Sequence, residues 1–91
     1  MRLRWTLAAA NDLENISDYL HHQHPQFAQA TVRRLYSEIR ELRHFPSRGR
    51  PGRETGTREL ILTGLPYVIV FRTGDQLVEI LRIYHGAQNW K

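Results

Sequence analysis

The sequence predicts an α+β domain of order β-α-α-β-β-β, with a helical hairpin packed on one face of an antiparallel four-stranded sheet. Three observations predict it. Apolar residues recur at spacings of three and four over two consecutive stretches, joined by a short link that holds Pro25. Three later runs are apolar, rich in β-branched residues and separated by short turns containing glycine or proline. The opening Arg2-Leu3-Arg4-Trp5 alternates polar and apolar, as a half-buried strand does.

Each element has its own local reason. Leu3 and Trp5 point inward from the first strand, and Thr6 is placed to cap the helix that follows. In that helix Ala9, Leu13, Ile16 and Leu20 form the apolar stripe, while Asp12, Glu14 and Asp18 read as a solvated face with Asp12 and Glu14 near the favourable amino end. It ends between His21 and His24. Pro25 suits the first turn of a second helix, because its φ is already helical and its missing N–H would have no partner there. Ala28, Val32, Leu35, Ile39 and Leu42 carry the second stripe, and the short link makes the two helices an antiparallel hairpin. Phe45-Pro46 closes it, since the residue before proline is steered from helical dihedrals. The segment 47–56, with three glycines and three arginines, reads as a mobile cationic loop. The strands expected beyond it are 58–62, 67–72 and 77–84, joined by Thr63-Gly64-Leu65-Pro66 and Thr73-Gly74-Asp75-Gln76.

Composition bounds the rest. With 91 residues the chain has room for one domain, 1–91, and 41% hydrophobic against 24% charged residues places it among globular chains. Cysteine is absent, which excludes disulfides and thiolate metal sites and fits a cytoplasmic setting. No run approaches the roughly 20 apolar residues of a membrane span, and Arg4, Asp12 and Glu14 interrupt what would be a signal peptide's apolar core. No cofactor is expected. His21, His22 and His24 lack a carboxylate at repeating ligand spacing, so no metal site is expected either. The net charge is +4 and twelve of the thirteen basic residues are arginine, whose planar fork matches phosphate or carboxylate oxygens. A genome rich in G and C would also favour arginine over lysine, but that does not explain why the arginines cluster.

The order of elements, the Arg-rich loop, Gly56-Thr-Arg-Glu-Leu60, Pro66-Tyr-Val-Ile-Val-Phe-Arg72 and Glu79-Ile-Leu-Arg-Ile-Tyr-His-Gly-Ala87 together resemble the RelE/ParE toxin superfamily of type II toxin-antitoxin systems. Leu81-Arg-Ile-Tyr-His85 followed by Gly-Ala is closer to its ParE-like, plasmid-stabilisation branch. The resemblance implies a growth-inhibiting toxin neutralised by a cognate antitoxin in a hetero-oligomer. It also implies two modes of action: inhibition of DNA gyrase, as in ParE, which is favoured here, or ribosome-dependent cleavage of messenger RNA, as in RelE. A third reading is an inactive basic binding module.

The residues bear on this choice. Metal-free RNA cleavage requires a base, an acid and cations around the phosphorane. His85, Arg82, Tyr67 and Arg58 are the candidates for those roles, histidine being the residue type best suited to acid-base work near neutrality. RNA-cutting relatives often carry arginine after the tyrosine of the middle strand, where this chain has Val68. They also end in a basic run, where this chain has Gly86-Ala87-Gln88-Asn89. Arg82 either pairs with an acid such as Glu59 or Glu79 or contacts a target, and a regular pleat would set it beside Val78, Ile80 and Tyr84, opposite His85. Only a twist or bulge near Gly86 would bring Arg82 and His85 to one site. Arg48, Arg50, Arg53 and Arg72 are candidates for a nucleic-acid or partner surface, and Trp90 either folds back on the domain or meets a partner.

Overall fold

The computed structural model describes residues 1–86. Its elements are β1 (Arg2–Trp5), α1 (Leu7–Gln23), α2 (Pro25–Glu41), β2 (Arg50–Pro51), β3 (Arg58–Ile61), β4 (Tyr67–Gly74) and β5 (Leu77–His85). The helices pack on each other, and α1 packs on β5. Both expected helix starts are present: the Thr6 hydroxyl accepts from the Ala9 amide at 3.0 Å, and Pro25 opens α2. α2 ends at Glu41, ahead of Phe45-Pro46, because the amides of Leu42 and Arg43 reach back only three residues and tighten the chain into turns.

The sheet departs from expectation in two ways. Among the described residues it has five strands rather than four, in the order β1-β5-β4-β3-β2, and it is mixed, because β1 runs parallel to β5 with Leu3 opposite Val78 and Trp5 opposite Ile80. Alternation within a strand says which face is buried but not which neighbour it takes or in which direction. β2 lies in the expected loop and has two residues, too few to show a period. Its Pro51, which has no N–H to give, suits an edge. Gly49 beside it has φ 91°, and a Cβ there would stand 2.5 Å from the Glu59 carbonyl oxygen, so only glycine lets the loop lie this close to β3.

Alternation divides the strand residues between two faces. Leu60, Ile69, Phe71, Val78, Ile80 and Ile83 join Leu35, Ile39 and Leu42 in the core beneath the helices. Val68, Val70 and Tyr84 form a smaller cluster on the other face. Burial of each such Leu, Ile or Phe contributes about 1.5–3 kcal/mol. The second hairpin closes through Asp75-Gln76, with Gln76 at φ 59° between the paired Gly74 and Leu77.

Thr6 ties the parts together. Its amide donates to the Ile80 carbonyl at 3.0 Å and its hydroxyl to the Leu81 carbonyl at 2.9 Å while capping α1. Replacing Thr6 with Ala is expected to cost about 1–2 kcal/mol in urea denaturation, and Thr6→Ser, which keeps the oxygen, much less.

Candidate functional site

β1 stops opposite Ile80, so among the described residues no strand lies beside residues 81–85 of β5 on that side. α1 supplies the neighbour instead. The Asp12 carboxylate accepts two hydrogen bonds from the Arg82 guanidinium, at 2.7 and 3.1 Å, and a third from the Ile83 amide at 2.9 Å. Those bonds, and the charge behind them, push the Arg82 pKa further up. Beyond Asp12 the helices and β5 diverge into a cleft of about 680 Å³, lined by Ile16, Tyr19, Phe27, Tyr67 and His85 among others. Tyr19 and Phe27 expose 58% and 61% of their surface at its mouth, which leaves apolar area open to a partner. The Tyr67 and His85 rings meet edge to face at 5.9 Å, and burial holds the Tyr67 phenol above its usual pKa.

The strand does bulge, at Leu81 and not near Gly86: Val70 faces Arg82 while Phe71 faces Ile80. Val78 and Ile80 therefore point to the helices, whereas Tyr84 points to the other face, so the expected same-face row around Arg82 does not form. The expected partners of Arg82, Glu59 and Glu79, are engaged elsewhere. Asp12, expected on a solvated surface, is the actual partner. Its position three residues after Ala9 and four before Ile16 lies along the apolar stripe, and an acid there is the one signal in the sequence that it turns inward.

On the face away from the helices two buried carboxylates organise the arginines. Glu59 accepts from Arg50 at 3.2 Å and from the Arg53 amide at 3.2 Å. Glu79 accepts from Arg72 at 2.7 Å and sits 3.5 Å from Arg4. Buried acids need such partners, because an isolated charge out of water is costly. Beside Glu59 the Tyr84 phenol is pushed up to about 12, first by burial and then by the Glu59 charge, with Arg50, Arg53 and Arg82 opposing.

The loop 47–56 is more anchored than its composition suggests. Arg48 pairs with Glu38 at 3.2 Å. The Arg58 guanidinium donates to the carbonyls of Ser47, Arg48 and Gly49, at 2.7, 3.3 and 3.0 Å. Among the four residues proposed for acid, base and phosphate roles, the structure brings Tyr67, Arg82 and His85 to the cleft and sets Arg58 apart beneath the loop. Arg50, Arg53 and Arg72 gather on the opposite face around Glu59 and Glu79, and Arg48 stands against α2. Trp90 lies outside the described residues.

Residues 3–90 match the family model described as "ParE toxin of type II toxin-antitoxin system, parDE". The chain is 40% identical over 89 residues to the putative toxin Y4kP of Sinorhizobium fredii, covering 98% of this chain and 92% of that one. It is also 40% identical over 84 residues to toxin RelE2 of Caulobacter vibrioides, covering 92% and 93%. Among solved structures, a chain of the chromosomal ParDE toxin-antitoxin system from P. aeruginosa superposes with a TM-score of 0.86 at 32% identity, covering 93% of this chain and 95% of that one. A chain of the RelBE2 toxin-antitoxin complex from Mycobacterium tuberculosis gives 0.61 at 28%, covering 96% and 92%.

Two measurements check the site's energetics. Asp12→Ala leaves the Ile83 amide and Arg82 without their acceptor and is expected to destabilise the fold by about 2–3 kcal/mol, whereas Arg82→Ala is expected to cost about 1 kcal/mol or less, its side chain being 49% exposed. The Tyr84 pKa is raised on folding, so the neutral phenol's contribution is complete below pH 10.0 and is lost as pH rises toward about 12. Stability followed by urea denaturation should fall across that window, and Tyr84→Phe should flatten the fall.

Proposed function

The chain belongs to the family of ParE toxins of type II toxin-antitoxin systems, and from that premise we propose that it arrests growth by binding DNA gyrase rather than by cutting RNA. A cognate antitoxin would hold it inactive. The observation that carries the choice of mode is that the cations RNA cleavage would need are already taken up, although Tyr67, Arg82 and His85 meet in one cleft. A metal-free nuclease presents base, acid and phosphorane-binding cations around one scissile phosphate. Here His85 and Tyr67 stand in the cleft, where the cation next to them, Arg82, is committed to Asp12. Arg58 is spent on three carbonyls. Tyr84, on the arginine-bearing face, holds its proton to about pH 12 and is a poor base at neutral pH.

An arrangement whose cations are tied to neighbouring acids is better suited to a fixed binding surface than to a reaction in which charge must be met as it develops. The cleft at Tyr19 and Phe27 offers the antitoxin a seat, with exposed aromatic surface and the His24 and His85 rings at its wall. The paired cations of the outer face are available to an acidic segment of the same antitoxin at the rim.

Purified toxin added to DNA gyrase and relaxed plasmid is expected to block supercoiling, and antitoxin to restore it. Translating ribosomes given the same toxin should yield full-length messages in primer extension. Codon-specific cuts with supercoiling untouched would replace this reading with the RNA-cleaving one. Normal growth after induction without antitoxin would favour an inactive binding module.

A further inference from the structure

The basic loop looked in sequence like the chain's footprint for a polyanion, yet its arginines are engaged. Arg48 pairs with Glu38, Arg50 with Glu59, and the Arg53 amide with Glu59. Arg72, Arg4 and Arg82 are likewise matched to Glu79 and Asp12. A different set has no acidic partner among the described residues, although the Arg43 guanidinium donates to the Arg40 carbonyl at 3.2 Å. Arg33 and Arg40 on α2, with Arg43 in the turn after it, recur at spacings of seven and three, which sets them within about a quarter of the circumference at roughly 3.6 residues per turn. Among the described residues none of the three makes an ion pair. They line a groove of about 550 Å³ along the hairpin together with His21, Tyr36 and Glu41, the last being the one acid among the described residues that line it.

Tyr36 gives this groove a fixed geometry. Its ring stacks on Trp5, with centroids 6.2 Å apart and planes 18° from parallel, and the Arg40 guanidinium lies 5.9 Å from its centroid. That cation–π contact orients Arg40 without neutralising it. With the Tyr36 ring stacked on Trp5 and met by Arg40, the groove offers cations and no row of free aromatic platforms of the kind successive bases stack on, which disfavours single strands. Among the described residues its apolar lining is Val32 and Tyr36 only, and the apolar centre of a protein interface is better supplied by the other cleft, where Tyr19 and Phe27 are exposed. A duplex needs neither. It is met through phosphates, which require charge and shape alone, and the roughly 15 Å from Arg33 to Arg43 spans several phosphates, each strand placing one about every 3.4 Å along its axis.

We propose that the Arg33–Arg40–Arg43 groove of α2 docks on the phosphate backbone of duplex DNA, without reading its sequence. The proposal goes beyond gyrase inhibition and does not depend on it. Anisotropy of a labelled random duplex of about 20 base pairs, titrated with the full chain at increasing NaCl, tests it with no gyrase present. R33Q/R40Q is expected to weaken binding at least tenfold at low salt and to reduce the slope of log K against log salt by about 2, at roughly 0.9 for each phosphate no longer neutralised. R33K/R40K, which keeps the charges, should bind nearly as wild type does, and all three proteins should melt alike because both residues are exposed. Should the double variant fail to fold, R33Q alone is expected to lower the slope by about 1. Unchanged affinity and slope in R33Q/R40Q, no binding of wild type to the duplex, or displacement by poly-glutamate more readily than by unlabelled duplex would each overturn the proposal. The last would point to an acidic protein instead.

Discussion

The junction of Asp12 with β5 is the interaction on which the functional half of the molecule depends. β1 protects β5 only as far as Ile80, so the strand beyond it would present bare amides to solvent, which is both unstable and prone to unwanted pairing. One carboxylate from α1 takes the Ile83 amide and both hydrogen bonds of Arg82, and Thr6 takes the Leu81 carbonyl just before them. The angle of α1 over the sheet follows from these bonds, and so does the cleft that opens beyond Asp12. The bulge at Leu81 belongs to the same arrangement, since it re-aims Arg82 while Ile83 returns to the core.

Charge in this small domain is partitioned rather than merely abundant. Glu59 and Glu79 are almost fully buried on the open face of the sheet, and each is matched by arginines whose heads remain largely in water. Removing one of these acids would leave like charges facing each other, while removing one of the exposed guanidiniums would leave a buried carboxylate short of a partner. Among the described residues the arginines of α2 have no such counter-charges. The same residue type thus serves as internal electrostatic structure on one face and as an exposed cationic rim on another. Net charge alone cannot separate these uses.

The separation also bears on how the toxin works. Toxins of one superfamily can share a scaffold and differ in what they do to a target, because activity lives in the placement of a few side chains. In this chain the acid-base candidates Tyr67 and His85 lie on the helix side, and the densest arginine group lies on the other. The sheet, one residue thick, stands between them. Our proposal of target binding over attack on a phosphodiester rests on that placement.

The amino-acid sequence by itself determined both helices, their starts at the Thr6 cap and at Pro25, the hairpin and the three strands β3, β4 and β5, because each rests on spacing within a short window that local physics reads directly. The family resemblance also lay in ordered local motifs, and it proved sound. Local windows carried no information about the parallel seating of β1 on β5, the two-residue β2, or the end of α2 ahead of Phe45-Pro46. Those depend on which edge was left free and on turns tightened by distant packing. The ownership of each carboxylate was decided only in three dimensions: Asp12 and Arg82 are 70 positions apart, and a salt bridge leaves no periodic trace in the chain. Which arginines are spoken for, and which face outward on α2, follows from those pairings and could be known only once the fold had brought the acids into place.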